Sequence, residues 1–109
     1  MRRPLSLKLY ASALRLAEPL ARPLLERRVK AGKEDPARLD ERLGRTTTPR
    51  PDGALVWLHG VSVGESMSLL PLVGALKARR PDLALLVTSG TRTSAELLTQ
   101  RLPEGVIHQ

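Results

Sequence analysis

The sequence predicts an α/β protein built on a parallel sheet. Three short apolar runs occupy 54–59, 83–88 and 106–108. Stretches of helical length separate them, and glycine- or proline-bearing turns mark the junctions. Strand, helix, strand, helix, strand at this spacing means right-handed βαβ units. The runs lack polar alternation, as in strands buried on both faces. The third run stops with the chain, so the sheet is expected to be incomplete and the chain to be a fragment of a larger protein.

The elements follow in order. Over residues 5–30, Leu5, Leu9, Ala13, Leu16, Leu20 and Leu24 recur at spacings of three and four and form one stripe. Lys8, Arg15 and Arg22 recur every seven residues on another face. Pro19 and Pro23 are expected to kink or break this helix. Gly32 suits a helix C-cap. Asp35 and Pro36 suit the start of a short helix that ends at Gly44. The Pro- and Thr-rich stretch 46–53 reads as a connector. These signals divide the chain into a basic amphipathic helix at 1–33, a short helix and connector at 34–53, and the start of the α/β domain at 54–109. A glycine turn at 60–65 leads to a helix predicted over 66–79, in which Pro71 is expected to be tolerated as an early residue. Thr93 and Glu96 form a possible capping box for a helix ending near Leu102.

The charge is uneven. The net charge is +7, and residues 1–33 hold nine Lys/Arg against two acids, while residues 34–109 hold nine of each. A basic arm on a neutral α/β domain is not the profile of a nucleic-acid-binding domain. Trp57 and Tyr10 are the only aromatic residues, too few to stack successive bases. The arm fits an interfacial helix, with Leu in the acyl boundary and Arg and Lys on anionic headgroups. It also fits a helix packed on its own protein with a solvated basic face. No run of about 18 apolar residues supports a clean span. There is no cysteine, which excludes disulfides and thiolate metal sites, and no His/Asp/Glu group has metal-ligand spacing.

The chemistry concentrates in 59–66, His-Gly-Val-Ser-Val-Gly-Glu-Ser, at the end of the first strand. Ligands of open α/β sheets bind at the carboxyl ends of strands. A phosphate-binding P-loop is excluded: three residues separate Gly60 and Gly64 instead of four, and Glu65 stands where a lysine is needed. The pattern G-x-S-x-G at 60–64 makes Ser62 a candidate hydrolase nucleophile. Against this, no earlier strand is present to carry an oxyanion loop, and Glu65 has no role. In a third reading Glu65 is a general base for a substrate hydroxyl. The bland alternative is a surface carboxylate complementing the helix dipole. His59 reads as a hydrogen-bonded residue at the strand end.

The block Trp57 to Ser66 resembles that of bacterial 3-deoxy-D-manno-octulosonic acid (Kdo) transferases. Residues 32–35, 41–45 and 87–93, and the basic leucine-rich start, are also similar to that family. The resemblance implies the N-terminal half of a GT-B glycosyltransferase, an incomplete Rossmann-like sheet preceded by the basic helix. It implies inverting, metal-independent transfer of Kdo from CMP-Kdo to the lipid A precursor, lipid IVA, in lipopolysaccharide biosynthesis. No cofactor is implied beyond the donor substrate. Glu65 matches the family's base, and Ser62, Gly64 and Thr91 are candidates for acceptor binding. The implied location is the cytoplasmic face of the bacterial inner membrane. The family's more continuously apolar anchor is interrupted here by Lys8, Arg15, Glu18 and Arg22. A membrane- or partner-binding module remains the alternative from another class.

Overall fold

The structure is a computed structural model describing residues 3–109. The chain divides into two compact units, one ending at Glu34 and the other spanning Asp35–Gln109.

In the first unit, α1 (Leu5–Ala17) passes through a 3-10 turn (Glu18–Leu20) into α2 (Ala21–Lys30). The 3-10 turn coincides with Pro19, which has no N–H for an α-helical bond. Pro23 lies in the first turn of α2, where the missing donor costs little. Gly32, at φ +73°, closes α2: Lys33 N–H reaches the Arg28 carbonyl at 2.9 Å, and Gly32 N–H that of Val29 at 3.0 Å. This is a Schellman ending, and only glycine adopts its left-handed backbone without strain. Leu5, Leu9, Leu16, Leu20 and Leu24 are exposed, while Leu25 and Glu34 are buried. The Glu34 carboxylate pairs with Arg28 at 2.9 Å. Among the described residues no helix is long and apolar enough to cross a membrane.

The second unit starts with Asp35, whose carboxylate accepts from Ala37 N–H at 2.9 Å. A 3-10 turn (Pro36–Arg38) leads into α3 (Leu39–Arg42). Gly44 ends it in the same way as Gly32, with Arg45 N–H on the Asp40 carbonyl at 3.0 Å. The strands are β1 (Leu55–Gly60), β2 (Ala84–Ser89) and β3 (Ile107–His108), parallel and in that order. The crossovers are α4 (Val63–Arg79) and α5 (Arg92–Arg101), which pack on each other. Val73 of α4, Leu98 of α5, and Leu85 and Val87 of β2 form the buried core, with Val56, Leu58 and Val106 packed against it. Side chains alternate along a strand, so Trp57, His59, Leu86 and Thr88 belong to the other face. Arg38 Nη2 donates to the His108 carbonyl at 3.2 Å, and Gln109 Nε2 to Thr46 Oγ1 at 2.7 Å, tying 35–46 to the β3 edge. Burial, then the positive charge of Arg38, pushes the His108 imidazole below its ordinary pKa.

The structure corrects three local expectations. α4 begins at Val63 rather than 66, so the turn after β1 shrinks to Val61 and Ser62. Pro71 is the ninth residue of α4 and lies inside it. It is exposed, and α4 continues through it despite the missing N–H. The capping box of α5 is Thr91 with Ser94, not Thr93 with Glu96. Thr91 has the extended φ of −132° that an N-cap needs, whereas Thr93 already lies inside the helix.

Candidate functional site

The turn after β1 is tight because Gly60 has no side chain. A Cβ there would lie 2.8 Å from the Ser66 amide nitrogen and 2.9 Å from its Cα. The first turn of α4 therefore sits directly against the strand end, with Ser66 fully buried. Ser62 is the N-cap, and its Oγ accepts from Glu65 N–H at 3.2 Å. Glu65 is the third helical residue, and its Oε2 accepts from Val61 N–H at 2.7 Å. This differs by one residue from a capping box, in which the carboxylate reaches the N-cap amide. Two otherwise orphaned amides are satisfied, and the carboxylate is fixed over the turn at the positive end of the helix. Glu65 is exposed, and its Oε1 has no hydrogen bond among the described residues.

Gly64 is different from Gly60. It lies inside α4, and a Cβ on it would meet nothing within 4 Å. No atom of the described residues demands a glycine there. Val61 and Val63 are exposed on either side of the Ser62 cap.

The junction after β2 lies alongside. Gly90 N–H donates to the Gly60 carbonyl at 3.2 Å, and a Cβ on Gly90 would stand 2.8 Å from the Val61 carbonyl oxygen. Thr91 Oγ1 accepts from Ser94 N–H at 3.2 Å and shares a 2.6 Å hydrogen bond with Ser94 Oγ. Ser94 Oγ also lies 3.3 Å from Thr91 N and 2.9 Å from its carbonyl. The fold brings the loops bearing Ser62, Gly64, Glu65 and Thr91 together, with the Thr91 hydroxyl committed to its own helix.

Ser62 does not form a nucleophile elbow. Its φ of −103° and ψ of 170° are ordinary extended values, and among the described residues no non-glycine has positive φ. The elbow depends on a sharp, strained turn that thrusts the hydroxyl outward. Among the described residues no group of three His, Cys, Asp or Glu side chains can hold a metal ion. A groove of about 430 Å³ lined by Arg38, Glu41, Thr99, Leu102 and His108 shares no residue with the Glu65 turn.

Sequence reasoning missed Thr88. Its Oγ1 receives Trp57 Nε1–H at 2.8 Å and lies 2.7 Å from His59 Nδ1. Only the parallel register, which sets His59 opposite Thr88, brings these residues together.

Residues 37–109 match the family described as 3-Deoxy-D-manno-octulosonic-acid transferase (kdotransferase). The chain belongs to this family. A probable mitochondrial 3-deoxy-D-manno-octulosonic acid transferase of Arabidopsis thaliana is 34% identical over 102 residues, covering 94% of this chain and 23% of that protein. The Rickettsia bellii transferase is 36% identical over 103 residues, 94% of this chain and 25% of its own length. The Rickettsia felis transferase is 48% identical over 56 residues, 51% of this chain and 12% of its own. The chain thus spans about a quarter or less of these Kdo transferases. No solved structure matches it.

Proposed function

We propose that this chain is the acceptor-side part of a Kdo transferase that moves Kdo from CMP-Kdo to lipid IVA, with Glu65 as general base. The observation that carries this is the posture of Glu65: one carboxylate oxygen is anchored on Val61 N–H, and the other is open at the carboxyl edge of a parallel sheet. Family membership supplies the sugar. In this reading an acceptor hydroxyl gives its proton to Glu65 Oε1 as its oxygen bonds to the anomeric carbon of Kdo. The bond from that carbon to the CMP phosphate breaks, CMP leaves, and configuration inverts. A positioned base of this kind contributes about 10²–10⁴-fold. Ser62 and Gly64 shape the turn beside the acceptor, with Thr91 next to them. The donor belongs to a second Rossmann-like domain of a GT-B enzyme.

Residues 1–33 hold the enzyme on the cytoplasmic face of the inner membrane through exposed leucines and basic side chains. A peptide of residues 1–33 is expected to bind anionic vesicles, less so in high salt. Equal binding to neutral vesicles removes the electrostatic part of this reading.

The deciding experiment gives CMP-Kdo and lipid IVA to the intact protein carrying this chain, and follows CMP release and the mass of the lipid. Gain of Kdo by the lipid is the expected result. Vesicle binding without product points instead to a binding module. Covalent labelling of Ser62 by a fluorophosphonate restores the hydrolase. Residues 1–109 alone are expected to show no turnover.

A further inference from the structure

His59 lies one residue before the end of β1, and the proposed base mechanism gives it no part. Its ring is exposed, yet one nitrogen is tied down: Nδ1 lies 2.7 Å from Thr88 Oγ1. The same oxygen receives Trp57 Nε1–H at 2.8 Å. An indole N–H can only donate, so one lone pair of Thr88 is taken. If His59 Nδ1 carried the proton, it would take the second lone pair, and the half-buried Thr88 hydroxyl hydrogen would have no partner among the described residues. If Thr88 O–H instead donates to Nδ1, the indole N–H, the Thr88 hydroxyl and Nδ1 are all satisfied. The 2.7 Å separation suits an O–H donor. The ring proton then sits on Nε2. That nitrogen has no partner among the described residues.

We propose that Trp57 and Thr88 are positioning residues that fix the His59 ring so that it donates from Nε2 to an oxygen of the sugar substrate. The inference rests on the glycosyl-transfer reading for its ligand, but not on Glu65 being the base. A one-directional chain of hydrogen bonds, from indole to hydroxyl to imidazole, sets the tautomer as a second partner does for any histidine. The fixed donor stands near the end of the strand that leads into α4, whose third residue is Glu65. It is placed to hold a hydroxyl or carboxylate oxygen while the acceptor hydroxyl is deprotonated. Charge-sensitive recognition of oxygens by pre-aimed donors is what such a site requires.

The test uses the intact transferase with its histidines labelled with nitrogen-15. Nitrogen–proton correlation spectra of wild type should show His59 protonated on Nε2, and addition of CMP-Kdo or lipid IVA should shift that signal. Thr88→Val removes the hydroxyl at nearly constant size. It is expected to mix the tautomers and lower the transfer rate roughly tenfold, the worth of one positioning hydrogen bond. Thr88→Ser should restore both. Trp57→Phe should weaken the tautomer preference through loss of the indole N–H. His59→Ala in the Thr88→Val background should cost little more, because both changes remove the same aimed donor. Protonation on Nδ1 in wild type overturns the proposal. So does Thr88→Val with a wild-type rate, or a loss that Thr88→Ser leaves uncorrected. If Glu65→Gln keeps its rate while the His59 signal still responds to substrate, the base assignment fails and this inference stands.

Discussion

The two strand-to-helix junctions of the sheet are built alike and finished differently. Both place a hydroxyl residue at the N-cap, Ser62 and Thr91, and both bury a serine in the first helical turn, Ser66 and Ser94. Each has a glycine whose hydrogen lets backbone approach backbone, Gly60 under Ser66 and Gly90 against Val61. After β2 the local polar groups close on one another, since Thr91 and Ser94 satisfy each other's amides and hydroxyls. After β1 the third helical residue is Glu65, which satisfies one amide and keeps an oxygen open. A junction that spends its polar groups on its own caps is scaffold. A junction that leaves a carboxylate oxygen and an unfilled glycine at the strand ends has the means for chemistry.

The largest expected effect tests that contrast directly. Glu65→Gln keeps the shape of the side chain and its acceptor oxygen for Val61 N–H, but cannot take a proton. In the intact enzyme the rate should fall about 10²–10⁴-fold with folding intact. A near-wild-type rate returns Glu65 to a capping carboxylate and makes the two junctions equivalent. Initial-rate measurements beside a thermal melt decide.

Gly90→Ala should act on both junctions at once, because the new methyl meets the backbone of Val61. Overpacking of this kind costs about 1–3 kcal/mol. Denaturant midpoints measure it, and the rate should fall with it as the Glu65 turn is displaced. An unchanged midpoint means that the loops are not braced against each other.

The caps come next. Ser62→Ala and Thr91→Ala should each lose about 1 kcal/mol of stability. Neither is expected to approach the rate loss of Glu65→Gln. A rate collapse on Ser62→Ala with stability preserved reverses the ranking and revives the nucleophile.

The smallest effect is the most discriminating. Gly64→Ala removes a helix-weakening glycine where no atom of the described residues stands in the way, and should stabilise by about 0.5–1 kcal/mol. If Gly64 leaves room for the acceptor, the rate should fall as the melting temperature rises. A stabilised variant at full rate shows that the space is not used.

Much of this was legible in the residues. Three apolar runs and two helical intervals fix a parallel sheet, because consecutive parallel strands need a crossover between them. Gly32 and Gly44 announced the ends of their helices, since a left-handed ending all but requires glycine. Asp35 before Pro36 announced a start. The 57–66 block carried the resemblance to Kdo transferases, and the family match over 37–109 places the chain there.

What local pattern left open was settled by how each strand end packs against the helix that follows it, and by contacts across the sheet. Ser62 reads as a turn residue until the Ser66 backbone is seen against Gly60, which starts α4 early and makes Ser62 its cap. Thr91 displaces Thr93 as the cap because β2 ends at Ser89 and the chain must turn at once. The sequence by itself determined the alternation of strand and helix, the helix-ending glycines and the placing of a carboxylate after the first strand, since these depend on neighbours along the chain. Only the tertiary structure decided that Glu65 folds back on Val61, that Gly90 braces the first turn, and that Thr88 joins Trp57 to His59. The first depends on the packing of α4 against the end of β1, and the other two on strand register, which brings together residues as many as 31 positions apart.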